Sequence, residues 1–134
     1  MTRPNNQFQY TKLIVHDLDR TAAFYRNVCG LVELMRVDEK VAGRSITEIV
    51  FKGTGDDPYA SLMLLKFHDA PNPSNDEVML AYVSDDVVAF LKRVRAAGGT
   101  VAEEIRVVPE NGVKVAFVRD VEGHLIEVIE FPKN

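Results

Sequence analysis

The sequence predicts an α+β fold: two tandem βαβββ modules that form a curved mixed sheet with a concave cleft, the helices lying on the convex side. Three observations predict it. Short runs with apolar residues at alternate positions recur through the chain, which is the pattern of half-buried strands. A polar turn, a helix with apolar residues at helical spacing and a glycine stop occur twice, Val15 to Gly30 answering Val83 to Gly98 at an offset of 68 positions. Each is followed by three more extended runs, which close on Leu64-Leu65-Lys66-Phe67 and on Val128-Ile129-Glu130-Phe131. A period of this length marks a duplicated unit.

In order, Phe8 to Val15 reads as a strand, and Asp17 or Asp19 caps a helix over Thr21 to Val28 that Gly30 ends. Leu31 to Val37, Ser45 to Phe51 and Ala60 to Phe67 follow as strands, separated by a charged loop at Gly43 and by the turn Gly53 to Pro58. In the second copy Val78 to Val83 is a strand, Ser84-Asp85-Asp86 a cap and Val87 to Ala97 a helix stopped by Gly98-Gly99. Thr100 to Val108, Val113 to Val118 and His124 to Phe131 are strands, with Asn111-Gly112 as a two-residue hairpin signal. The expected domain is single, residues 8–131, with module one at 8–68, a linker at 69–76 that carries Pro71 and Pro73, and module two at 77–131.

With 134 residues and 46% hydrophobic content the chain is long enough to bury a core of its own. Sixteen Lys and Arg against 20 Asp and Glu give a net charge of -4, which argues against nucleic acid or an anionic membrane as partner. Lys92, Arg93 and Arg95 are read as a solvated helix face. One cysteine, Cys29, excludes an intrachain disulfide and a thiolate cluster and fits a reducing cytoplasm. Met1 to Gln9 lacks an apolar signal-like stretch, and no run has the length of a membrane span, so the expected location is cytoplasmic.

The last strand carries the sharpest chemical signal. Leu125, Glu127, Ile129 and Phe131 share one face, so Glu127 is a carboxylate among apolar neighbours, which is costly unless it is paired, protonated or bound to a cation. His124 points to the opposite face and His16 lies in a turn; both read as exposed or capping, and His68 as a linker residue. Which face Glu48 uses is open at this level.

The run Val15-His16-Asp17-Leu18-Asp19-Arg20-Thr21-Ala22-Ala23-Phe24-Tyr25 with Gly30-Leu31, the run Val83-Ser84-Asp85-Asp86-Val87 with Ala96-Ala97-Gly98-Gly99, and the closing Phe117-Val118-Arg119-Asp120 with Gly123-His124-Leu125-Ile126-Glu127 resemble the vicinal oxygen chelate superfamily. That superfamily contains glyoxalase I, extradiol dioxygenases, methylmalonyl-CoA epimerase and the bleomycin and fosfomycin resistance proteins. The resemblance covers Tyr10 to Phe131; it is specific for fold and not for reaction, because one scaffold hosts all those chemistries. It implies a cleft metal held from the first and last strands of each module. Carried over, those positions fall on Tyr10, on Met63 or Leu64, on Val78 and on Glu127, so Glu127 is the only family-type ligand retained. A valine and a thioether do not suit a hard cation. No cofactor is therefore expected, and a divalent metal is disfavoured. Glyoxalase I carries an Arg where Ile14 stands, which argues against a glutathione adduct as substrate.

If Tyr10 faces the cleft, so do Lys12 and Ile14, and by the repeat Val78, Leu80 and Tyr82; Met63, Leu65, Phe67 and Ile129 join them from the last strands, with Leu125 and Phe131. This is an apolar pocket with polar handles, as small-molecule sites are. The expected function is a glyoxalase-like lyase or isomerase in which Glu127 is the acid/base and Lys12 or Tyr10 stabilises the developing oxyanion. The alternative is a metal-free binding or sequestering protein of the bleomycin-resistance type. The expected partners are a small-molecule ligand and a second copy in a homodimer, which would cover open sheet edges.

Overall fold

The structure, a computed structural model, describes Phe8, residues 10–53, 60–69 and 78–133. The element order is β1 (Thr11–Ile14), α1 (Leu18–Cys29), β2 (Val32–Val41), β3 (Arg44–Lys52), β4 (Ala60–Phe67), β5 (Leu80–Val83), α2 (Val87–Ala96), β6 (Thr100–Val107), β7 (Lys114–Arg119) and β8 (Leu125–Glu130). The double βαβββ order is the one the sequence predicts. Apart from Asp69, the segment read as the linker lies outside the described residues.

The strands form two four-stranded sheets, β1-β4-β3-β2 and β5-β8-β7-β6. In each, the first strand runs parallel to the last (β1 with β4, β5 with β8) and the other pairs are antiparallel. The helix-facing residues of both sheets, among them Leu13, Ile49, Leu64, Ala116, Ile126 and Val128, share one apolar cluster with Ala22, Tyr25, Phe90 and Val94 of the two helices. Burying that cluster from both sides is what makes two modules one domain. Glycine is obligatory at one point of this packing. A Cβ on Gly99 would sit 2.5 Å from the Arg119 carbonyl oxygen and 2.7 Å from the Phe24 ring.

Both helices start on aspartate caps, Asp17 accepting from the Arg20 amide at 3.1 Å and Asp86 from that of Ala89 at 3.0 Å. α1 begins one turn earlier than its apolar spacing suggests, because the cap is Asp17 rather than Asp19. β2 and β3 are longer than expected and meet at Ala42-Gly43, both at positive φ, which is the geometry of a tight hairpin. The β6–β7 connection is wider than two residues. Its ends are closed by Val108 N–H donating to Val113 O at 2.8 Å, and Gly112 N–H donates to Val108 O at 2.8 Å.

The caps also correct the repeat. Asp17 and Asp86, Leu18 and Val87, and the whole of β1 and β5 correspond at an offset of 69, not 68. The exit bonds agree: Val15 N–H donates to Leu65 O as Ser84 N–H does to Ile129 O. Matching Gly30 to Gly98 misses this because α2 is two residues shorter than α1. In a strand a slip of one residue turns every side chain to the other face.

The turn between β7 and β8 ties the modules together. Asp120, 3% exposed, accepts at 2.8 Å from the Tyr25 hydroxyl of α1 and faces His124 Nδ1 at 2.8 Å, and its other oxygen accepts from the amides of Glu122 and His124. Glu122 in the same turn accepts from the His16 amide at 2.8 Å and from that of Asp17, at the start of α1. His124 does point away from Glu127, but it is not exposed; it is 3% accessible, because Asp120 satisfies it inside the domain.

Burial opposes charge on His124, yet Asp120 beside it prevails and its pKa lies above the ordinary value; burial likewise opposes charge on Asp120, and His124 and Tyr25 hold its pKa below the usual range. The sign for stability follows. The His124 contribution is complete below the unfolded value near 6.5 and is lost as pH rises through the higher folded value, while that of Asp120 is lost only as pH falls through its lowered one. Thermal unfolding followed from pH 6 to pH 9 should therefore show a fall in Tm that is reduced in His124→Gln. An unchanged slope in that variant would contradict the assignment.

Candidate functional site

Each sheet has one face against the helices and one open face, and paired residues share a face. In the first sheet the ladder puts Lys12 with Met63 and Val50, Ile14 with Leu65 and Glu48, and Phe67 with Ile46 on the open face. In the second it puts Glu127 with Ala81 and Phe117, and Ile129 with Val83 and Val115. Glu127 thus lies where the alternation of the last strand places it. It is half-buried, flanked on its strand by Leu125 and Ile129, and it has no hydrogen-bond or ion-pair partner among the described residues.

Lys12 does not serve Glu127. Its ammonium lies 3.1 Å from Oε2 of Glu48, which is 3% exposed, and the lysine side chain crosses β4 to reach it. Glu48 is the site residue the alternation of β3 leaves undetermined. That strand is apolar on both faces, Ile46 and Val50 on one and Ile49 and Phe51 on the other, so period two alone does not choose. Tyr10, just before β1, is 39% exposed, and its ring centre is 6.0 Å from the Lys12 ammonium.

On β5 the one-residue slip takes effect. Leu80 pairs with Ile126 and Tyr82 with Val128, so both face the helices, and Tyr82 packs on Phe90 with ring centroids 6.1 Å apart. The open-face residues there are Ala81 and Val83, which the offset of 68 hides. Val78 precedes the strand and is exposed; at the offset of 69 the counterpart of Tyr10 is Met79. The four positions that the resemblance marks for a metal therefore hold Tyr10, Met63, Met79 and Glu127. Among the described residues no group of three or more His, Cys, Asp or Glu is arranged to hold a metal ion.

The glyoxalase/bleomycin resistance protein/dioxygenase superfamily model matches residues 7–128. The chain belongs to that superfamily. Its relatives include a probable lactoylglutathione lyase of Vibrio parahaemolyticus, 29% identical over 94% of this chain and 91% of the relative, and a lactoylglutathione lyase of Haemophilus influenzae, 32% identical over 92% of each. Among solved structures, a glyoxalase family protein from Bacillus cereus superposes with a TM-score of 0.79 at 17% identity, covering 96% of this chain and 98% of the other. Glyoxalase I from Zea mays gives 0.73 at 21% identity, covering 92% of this chain and 44% of that longer one. At these identities the structural likeness speaks for the superfamily fold alone. Among the described residues no helix is long and apolar enough to cross a membrane.

The Lys12–Glu48 pair makes a testable energetic claim. Removing the cation strands a carboxylate that water barely reaches, whereas removing both charges leaves an apolar face. Lys12→Met should cost about 1–3 kcal/mol in denaturant unfolding, and Lys12→Met with Glu48→Leu should recover most of it. A double variant no more stable than the single one would contradict the pairing.

Proposed function

We propose that the protein acts on a small carbonyl compound as a glyoxalase-type lyase or isomerase with Glu127 as its acid/base. The observation that carries this reading is Glu127 itself, a half-buried carboxylate in an apolar row that no described residue pairs. Structural carboxylates in this protein, Asp120, Glu48 and Glu130, all have partners. A carboxylate kept without one has its lone pairs free for a ligand. The names of the relatives, lactoylglutathione lyases, fit the same class of chemistry.

Glu127 would take the proton from the hydroxyl-bearing carbon beside the carbonyl while the electron pair moves onto the carbonyl oxygen. It would then return it to the former carbonyl carbon as the hydroxyl proton passes to that oxygen, so that carbonyl and hydroxyl exchange places. No oxidant or reductant is consumed. Lys12, oriented by Glu48, would supply positive charge for the oxygen that becomes negative, with the Tyr10 hydroxyl at the rim. Lys12 and Glu127 belong to the open faces of different sheets, so the proposal requires those faces to enclose one ligand. A homodimer is part of it, supported by exposed apolar residues such as Met35, Val83 and Phe131. A cytoplasmic location is also part of it, supported by the lone cysteine.

The divalent metal that the superfamily implies does not fit these residues. One carboxylate, one phenol and two thioethers make a poor donor set for a hard cation, and no step is routed through it. Ile14 on the open face leaves no cation at the place that would hold a glutathione carboxylate, so a glutathione adduct is not the proposed substrate. A second reading, a metal-free binding protein, is favoured by one observation: Glu48 already neutralises Lys12.

One screen separates the two. Thiol adducts of 2-oxoaldehydes and aromatic ligands are offered to wild type and to Glu127→Gln, with product and thermal shift followed together. Turnover should fall by about 100-fold or more in the variant while ligand-induced stabilisation persists, because the amide keeps the shape and loses the basicity. Stabilisation without product in either protein would leave only the binding reading.

A further inference from the structure

A cavity of about 750 Å3 opens between the end of α1, α2 and the ends of β5 and β8. Val28, Cys29, Tyr82 and Phe90 line it from the helix side and Val83 and Phe131 from the opposite face, and Glu127 is not among its lining residues. Its volume is that of a small-molecule site. Val28, Leu31 and Phe90 give it an apolar wall, the Tyr82 hydroxyl and the Cys29 thiol adjoin within it, and Arg93 and Lys133 stand at its side.

Arg93 is the informative residue. Its Nε donates to the Val28 carbonyl at 3.0 Å, and its guanidinium carbon lies 5.4 Å from the centre of the Phe90 ring. Those two contacts fix the plane of the fork, yet its terminal nitrogens have no acceptor among the described residues. Arg36, Arg44, Arg95 and Arg106 by contrast each meet a carboxylate. A guanidinium that is oriented but unpaired beside an apolar wall is arranged for an anion that arrives with an apolar body. Asp85 also lines the cavity, so Arg93 and Lys133 leave a single net positive charge, which suits a monoanion rather than a phosphate dianion.

We propose that this cavity is a second ligand site, separate from the open-face site, which binds a monocarboxylate with an apolar aryl or medium-chain acyl body. The carboxylate meets the Arg93 fork with Lys133 nearby, and the body lies against Phe90, Leu31 and Val28. Tyr82 is then a residue of this site, which accounts for an inward hydroxyl on the helix side of β5 that the open face does not use.

Cys29, the only cysteine of the chain, is a built-in reporter. Burial pushes its thiol up to about 12, so it alkylates slowly and its rate reads access to the cavity. The experiment measures maleimide labelling of Cys29 in the full chain with decanoate and with decanol, alongside calorimetric titration of both. Two variants are used, Arg93→Gln and Gly53→Phe. Gly53 lines the cavity, and among the described residues nothing lies within 4 Å of a Cβ placed there, so a ring at this position is expected to obstruct the cavity without displacing the core.

Decanoate should bind and slow the labelling, and decanol should bind at least about tenfold more weakly. Arg93→Gln should lose about tenfold in decanoate affinity and little in that of decanol. Gly53→Phe should abolish the effect with an unchanged Tm. The proposal is overturned if decanoate leaves the labelling rate unaltered or raises it, if decanol binds as well as decanoate, or if Arg93→Gln binds decanoate as wild type does. None of these outcomes depends on Glu127, so they stand apart from the fate of the open-face reading.

Discussion

The fold depends on one buried carboxylate. Asp120 draws the hydroxyl of Tyr25, the ring of His124 and two backbone amides onto its two oxygens, in a place almost closed to water. Tyr25 belongs to the first module and the other three donors to the second, so this single group fastens α1 to the turn that starts β8. Burial holds the Tyr25 hydroxyl far above its ordinary pKa, which keeps it a donor at any ordinary pH. Once the turn is fixed, the register of β8 is fixed with it, and Ile126 and Val128 face the helices while Glu127 faces outward.

The two faces of each sheet therefore do different work. The helix faces fuse into one apolar cluster across both modules, and among the described residues their buried polar side chains meet partners, as Asp120 meets Tyr25 and His124, whose ring also meets the Ile14 backbone. The open faces hold what packing does not require: a lysine clasping a buried glutamate on one sheet, and on the other a glutamate with no partner among the described residues. Charged groups of this kind are expensive among apolar neighbours. Their presence on the open faces, rather than their number, is what points to chemistry.

Much of this was legible in the sequence because local signals agreed with the global pattern. Aspartate caps, glycine stops and period-two strands gave the double βαβββ order, and the alternation of Leu125, Glu127 and Ile129 placed the carboxylate correctly. The failures have definite physical origins. Gly30 and Gly98 stop helices of unequal length, so aligning them slid β5 by one residue and turned Leu80 and Tyr82 to the wrong face. Glu48 sits in a strand that is apolar on both sides, so its partner Lys12 emerged only from the ladder across β4. His124 looked like a surface residue because nothing local reveals that Asp120 folds back on it and that Tyr25 arrives from 95 positions away.

The central claim is that the turn and last strand are divided, with Asp120 holding the fold and Glu127 serving none of it. The most direct measurement is equilibrium unfolding of Asp120→Asn and Glu127→Gln side by side at pH 6. The account predicts that Asp120→Asn loses about 2–4 kcal/mol through its unpaired buried partners, while Glu127→Gln stays within about 0.5 kcal/mol of wild type. A loss at Glu127 as large as that at Asp120, or no loss at Asp120, would contradict it.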